Sequence, residues 1–138
     1  MATLSVPASI EQLGAVNEFI AGQMPEGLAA LLPQVELAAE ELLVNVFSYA
    51  YPGEPGKAEV SCRMVHLDGI PFFCLAVRDW GAPFDPFSEA PEPDTALGVE
   101  DRPIGGLGVH LIKSMVRHYS YSYHDASNCI ELYFALPE

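Results

Sequence analysis

The chain has 138 residues, 50% apolar and 18% charged, enough to bury roughly two-thirds of its unfolded surface as one compact domain and too apolar for disorder. Six Lys and Arg stand against nineteen Asp and Glu, and the formal charge of -13 repels nucleic-acid backbones and anionic membrane surfaces. Uncharged apolar stretches such as 69–77 and 42–52 fall well short of the roughly 20 residues that span a bilayer, and residues 1–6 lack a secretory signal's basic start, so a cytoplasmic domain is expected.

Alternation at Thr3, Leu4, Ser5 and Val6 predicts a first strand. Ser9-x-x-Gln12 has the spacing of a capping box, opening a helix with Ile10, Leu13, Val16 and Ile20 on one face. That helix runs to Gln23 and stops at Met24-Pro25-Glu26-Gly27. Pro33 suits the first turn of a second helix, whose body from Gln34 to Tyr49 is apolar on nearly every side and so is expected to be buried. After the turn cluster at 52–56, Ala58, Val60, Cys62 and Met64 alternate with polar residues, the pattern of a half-exposed strand. Asp68-Gly69 turns the chain into the apolar run Pro71 to Val77, which ends at Arg78-Asp79.

Residues 81–103 are proline-rich and acidic without periodicity, which reads as a long functional loop inside a single domain spanning 1–138. A helix from about Leu107 to Val116 follows. Tyr119, Tyr121 and Tyr123 then alternate in a strand that pairs with Ile130 to Ala135 across Asp125 to Asn128. Hairpin-linked strands with helices gathered between them predict a two-layer α+β sandwich on an antiparallel-rich sheet.

Three signatures carry chemistry. Glu41 and Asn45 lie one helical turn apart on an apolar helix, where a carboxylate and an amide cost several kcal/mol unless satisfied. The pair is either a ligand site, with the Asn45 amide oxygen suited to magnesium and Glu41 to orienting or deprotonating a hydroxyl, or a structural hydrogen bond at a solvated edge. Asp79-x-Gly81 ends a strand, where the carboxylate can accept from an exocyclic amine and the glycine lets a planar base approach; it is equally an ordinary turn. Phe84 beyond it packs near such a base or plugs the core.

Gly105-Gly106-Leu107-Gly108 opens a helix whose free amides favour a polyphosphate, which answers the problem that the chain's acidity poses for nucleotide binding. Gly-Lys-Ser/Thr is missing and no strand immediately precedes it, so neither a Walker loop nor a dinucleotide fingerprint is present. Arg102 can close onto a terminal phosphate or remain a solvated loop residue, and His110 and Lys113 are lesser candidates. Cys62, Cys74 and Cys129, without a C-x-x-C pair, and four scattered histidines argue against a disulfide framework or a zinc site.

In order and spacing, these signatures resemble the Bergerat-fold (GHKL) ATPases over almost the whole chain. Asp79-x-Gly81-x-Pro83-Phe84-Asp85-Pro86 and Gly105-Gly106-Leu107-Gly108-Val109-His110-Leu111-Ile112 look most like bacterial anti-sigma-factor serine/threonine kinases. The resemblance implies a mixed, mainly antiparallel sheet with helices on one face, ATP with magnesium, and a lid loop at about 82–104. It further implies partner switching, in which the kinase holds a sigma factor or phosphorylates a serine on a STAS-type anti-anti-sigma protein, commonly as a homodimer. By residue, Asn45 would carry magnesium, Glu41 would act as the base, Asp79 and Gly81 would hold adenine, and Gly106 and Gly108 would approach the phosphates. Pro83 stands where many relatives carry a second glycine, and Tyr49 where some place histidine. These departures keep a second reading open, a partner-sequestering module of the same fold without catalysis.

Overall fold

A computed structural model describes residues 2–89 and 106–137. Arg102, Gly105 and most of the lid at 82–104 lie outside the described residues.

Strand β1 (Ala2–Pro7) leads through a 3-10 turn (Ile10–Gln12) into helix α1 (Leu13–Gln23). Ser9 caps the turn by accepting from the Glu11 amide at 3.4 Å, while the Gln12 amide donates to the Ser9 carbonyl and the Ser9 amide to the Pro7 carbonyl; the reciprocal capping-box bonds are not made, and Ser9 instead starts a 3-10 turn. Val16 and Ile20 are buried as their spacing predicts, but Ile10 is 65% exposed because that preliminary turn carries it off the helical face. Helix α2 (Leu32–Asn45) has Pro33 in its first turn and buries Val35, Ala38, Ala39, Leu42 and Leu43. Its last expected turn is different: at Val46 to Ala50 the ladder widens into a π-helical turn.

Strands β2 (Lys57–Leu67) and β3 (Ile70–Asp79) form the expected hairpin, turned by Asp68 and Gly69 at φ 52° and 80°. A four-residue helix, α3 (Pro86–Glu89), lies within the stretch read as loop. Helix α4 (Gly106–Met115) precedes β4 (His118–His124) and β5 (Ser127–Ala135).

The sheet order is β1-β2-β3-β5-β4. Every neighbouring pair among the described strands is antiparallel, so the parallel pairing that a mixed sheet would need is absent there. One face of the sheet presents Val60, Phe73, Leu75, Val77, Ile130, Leu132 and Phe134 to α1, α2 and α4, and this layer is the core. Interlocked apolar side chains from both layers make it the main source of stability. The opposite face carries polar partners such as Arg63 with Glu131 and Arg78 with Ser127. No helix among the described residues is long and apolar enough to cross a membrane.

Candidate nucleotide site

Where α2 ends, the π turn swings Tyr49 and Ala50 toward the end of β3. A Cβ on Gly81 would lie 2.6 Å from the Ala50 carbonyl oxygen and 2.8 Å from Ala50 Cβ, so only glycine permits this approach of two backbones. Tyr51 pins the same junction: its hydroxyl donates to the Lys57 carbonyl at 2.6 Å and accepts from the Trp80 amide at 2.7 Å. Gly56 makes room for the ring, since a Cβ there would fall 2.3 Å from it.

Asp79, the last residue of β3, is buried, and its Oδ1 accepts from the Gly81 amide at 2.9 Å and from Asn128 Nδ2 at 3.0 Å. Asn128 lies directly opposite Asp79 in the β3–β5 register and is also buried. Its amide nitrogen reaches the Gly81 and Ala82 carbonyls at 3.3 and 3.0 Å; its Oδ1 accepts from the Phe84 amide at 2.9 Å and the Tyr121 hydroxyl at 2.5 Å. One buried side chain therefore shapes the whole Asp79–Phe84 turn, and Oδ2 of Asp79 is left without a donor among the described residues.

Beside this network is a cavity of about 210 Å³ lined by Leu42, Asn45, Tyr49, Asp79, Pro83 and Phe84, with Val46, Ala50 and Ile130 as further apolar wall. Small-molecule pockets run from about 300 Å³ upward, so this space suits a flat heterocycle and leaves any attached polar chain outside. Phe84 lines the cavity while 42% exposed, so it is a wall and not a core plug.

Glu41 and Asn45 are half-buried on α2 and make no hydrogen bond or ion pair with any described residue. Asn45 faces the cavity. Glu41 lies against α4: a Cβ on Gly108 would come within 2.0 Å of Glu41 Oε2 and 2.8 Å of its Cδ. The glycine thus gives a carboxylate access to the first turns of a helix, where free amides and the positive dipole end are found. Gly106 is the first residue of α4 and Leu107 the second.

Lys113 does not reach this region; its ammonium donates to the Phe87 carbonyl at 3.0 Å and ties α4 to α3. His110 is exposed on α4. Burial pushes the thiols of Cys62 and Cys74 up to about 12 and about 11, so both are protonated at neutral pH and neither is a nucleophile. Among the described residues no cluster of three or more His, Cys, Asp or Glu could hold a metal ion.

Sequence reasoning missed Asn128, Tyr121 and Tyr51. Asn128 looks like a turn residue after Asp125-Ala126-Ser127, and only its placement opposite Asp79 reveals its part.

Residues 6–134 match the family model described as a histidine kinase-like ATPase domain. The serine/threonine-protein kinase BtrW of Bordetella bronchiseptica is 31% identical over 97 residues, 70% of this chain and 65% of BtrW. The chain thus aligns with just under two thirds of that relative's length. Among solved structures, a histidine kinase domain from the Erythrobacter litoralis blue-light activated histidine kinase superposes with a TM-score of 0.52 at 15% identity, over 95% of this chain and 62% of that one. The Acinetobacter baumannii histidine kinase AdeS gives 0.51 at 11%, over 100% of this chain and 70% of that one. At such identities these two speak for the fold alone, whereas the match across 6–134 identifies the lineage: the chain belongs to the histidine kinase-like ATPase domain family, of the GHKL type.

Proposed function

We propose that the chain is an ATP-dependent protein-serine/threonine kinase that acts as an anti-sigma regulatory switch, with a STAS-type anti-anti-sigma protein as its substrate and a sigma factor as the protein it sequesters. The observation that carries the kinase reading is the convergence of the α2 pair on two ligand surfaces. Asn45 faces the cavity that holds Asp79, and four residues earlier Glu41 meets Gly108 at the start of α4.

Adenine fits the flat apolar cavity, with its amine on the open oxygen of Asp79 and its edge against Gly81 and Phe84. The phosphates then extend toward Gly106 and Gly108, where helix amides receive them in a chain whose net charge is otherwise unfavourable. Magnesium would take the Asn45 amide oxygen together with phosphate oxygens, and when bound it neutralises charge on the transferring group. Glu41, without a partner among the described residues and beside the phosphate path, orients the incoming serine hydroxyl and accepts its proton. Kinship with a protein named as a serine/threonine kinase supports transfer to a hydroxyl; the partner class rests on the resemblance of the Asp79–Pro86 and Gly105–Ile112 motifs.

The test is incubation of the full chain with γ-labelled ATP, magnesium and a candidate STAS-type protein. Wild type should label a serine or threonine of the partner, and Glu41→Ala should bind ATP but label it at least a hundredfold more slowly. ATP binding without transfer to any such partner would instead favour the sequestering module, a reading to which Pro83 on the cavity rim lends weight.

A further inference from the structure

Acids are spread along this chain except in one place. Residues 106–124, which comprise α4, β4 and the join between them, contain no Asp or Glu, yet they hold Lys113, Arg117 and three of the four His. On α4 the burial of Val109 and Ile112 turns His110, Lys113 and Ser114 outward at positions i, i+3 and i+4. Arg117, just past the helix, is exposed as well.

The cations of this region differ from the others in what they meet. Arg63 is paired with Glu131, and the cationic ends of Lys57 and Arg78 lie 4.5 and 5.0 Å from the centre of the Trp80 ring. Lys113 and Arg117 have no carboxylate of a described residue. The Lys113 ammonium donates to the Phe87 carbonyl and stands 5.8 Å from the centre of the Tyr119 ring, which leaves it donors for an incoming carboxylate.

Aromatic rings continue the surface. Phe87 packs on Tyr119 with ring centres 4.2 Å apart, and the Phe84 amide donates to the Tyr121 hydroxyl at 3.1 Å, so α3, α4 and β4 meet in one ridge. These contacts hold the rings in place without covering them: Tyr119 is 44% exposed, and Tyr123 and Phe84 are each 42% exposed. Asp85, the acid beside the ridge in sequence, is turned onto α3, where its Oδ1 accepts from the Phe87 amide at 2.9 Å. At its Phe84 end the ridge becomes the wall of the nucleotide cavity.

We infer that this ridge docks an acidic segment of a partner protein, one with aromatic or aliphatic side chains set among its carboxylates. The carboxylates meet Lys113 and Arg117, and the apolar side chains lie along Tyr119, Phe87 and Phe84. Charge selects this occupant. At physiological salt the screening length is about 8 Å, so a short acidic segment responds to the cations beside it and not to the total of -13. A basic segment is drawn to the acids elsewhere and finds none on α4 or β4, while nucleic acid or an anionic membrane is large enough to reach past the ridge to those acids. A segment bound here lies beside the cavity rim, which delivers a partner's hydroxyl to the phosphate path. That delivery rests on the kinase reading; the binding does not.

Fluorescence polarisation of a labelled Glu-Glu-Tyr repeat peptide, titrated with the full chain at physiological salt and without nucleotide, reads the binding. Wild type should saturate. Lys113→Glu and Arg117→Glu should each weaken the complex about fivefold or more, whereas Lys57→Glu, an equal change of net charge at the start of β2, should weaken it less than about twofold. Arg117→Glu carries the test even where Lys113→Glu loosens α3. On the unsubstituted protein, peptide should shift the amide NMR signals of His110 to Arg117, Tyr119 and Tyr123. Absence of binding, equal weakening by all three variants, or shifts gathered elsewhere would each overturn the inference. The same amides shifting with protein concentration in the absence of peptide would also overturn it, and would assign the ridge to a second copy. A chain that binds the peptide yet transfers no phosphate refutes the kinase reading and leaves this one standing.

Discussion

Gly108→Ala separates the architecture from the chemistry. The added methyl would begin 2.0 Å from Glu41 Oε2, so the carboxylate has to leave. It stands at the end of a rotatable side chain with no hydrogen bond to a described residue, and moving it costs about one strained torsion, ~1 kcal/mol. Alanine replacing glycine within a helix contributes about 0.5–1 kcal/mol in the other direction. The two nearly cancel, and the thermal midpoint should stay within about 5 °C of wild type. Phosphoryl transfer should not survive so well: a displaced base loses a factor of about 10²–10⁴, while the adenine cavity beside Asp79 is left intact and ATP affinity changes by less than about threefold.

The assay is initial-rate phosphotransfer, with calorimetric ATP titration and a thermal melt on the same preparations. Glu41→Ala removes the atoms that the new methyl meets, so Gly108→Ala/Glu41→Ala should be no slower than Glu41→Ala alone. Wild-type transfer by Gly108→Ala would refute the assignment of Glu41 as the base. A double variant much slower than either single would show that Gly108 serves the phosphates independently of Glu41. A loss of several kcal/mol in stability would refute the premise that the carboxylate is free to swing.

The other expectations concern binding, the turn and the buried thiols. Asn45→Ala should lower ATP affinity at least tenfold in magnesium and bring it close to wild type's magnesium-free value, measured by calorimetry with and without chelator; equal affinities in magnesium would sink the metal role. Asn128→Ala strips partners from Asp79, Phe84 and the Gly81 and Ala82 carbonyls, and should cost about 3 kcal/mol in urea unfolding and weaken ATP binding, whereas a loss below ~1 kcal/mol would mean that water replaces the amide. Cys62 and Cys74, pushed by burial from 9.0 up to about 12 and about 11, favour the folded state fully below pH 9. That contribution should fall as pH rises through 9 to 12, and Cys62→Ala should flatten the alkaline decline of unfolding free energy; an unchanged slope would contradict the assignment.

The readable parts of this chain are those where local pattern and tertiary demand coincide. Apolar spacing in α2 identifies Val35, Ala38, Leu42 and Val46 as a buried face because a helix packed on a sheet must bury one stripe, and all four are buried. The same spacing places Glu41 and Asn45 off that stripe, which is why both were visible as candidates. The π turn after Asn45 was not legible, since the residues Val46 to Ala50 are unexceptional for a continuing helix. It follows instead from the need to bring Ala50 onto Gly81, a contact between residues 31 apart in the chain.

The hairpin between β4 and β5 shows how a site can overrule local preference. Asparagine tolerates positive φ better than alanine does, so propensity assigns Asn128 to the turn. The chain instead bends at Asp125 and Ala126, with φ of 53° and 57°, an arrangement that costs alanine roughly 1–2 kcal/mol. In return Asn128 enters β5 opposite Asp79 and makes its bonds there. Sliding the register by one residue to relieve Ala126 would turn Asn128 to the far face of the sheet, carry Ile130 and Leu132 out of the core with it, and leave the Asp79–Phe84 turn unsupported. The strained turn is therefore held by the core and the nucleotide site together, and no window of sequence around Ala126 contains either of them.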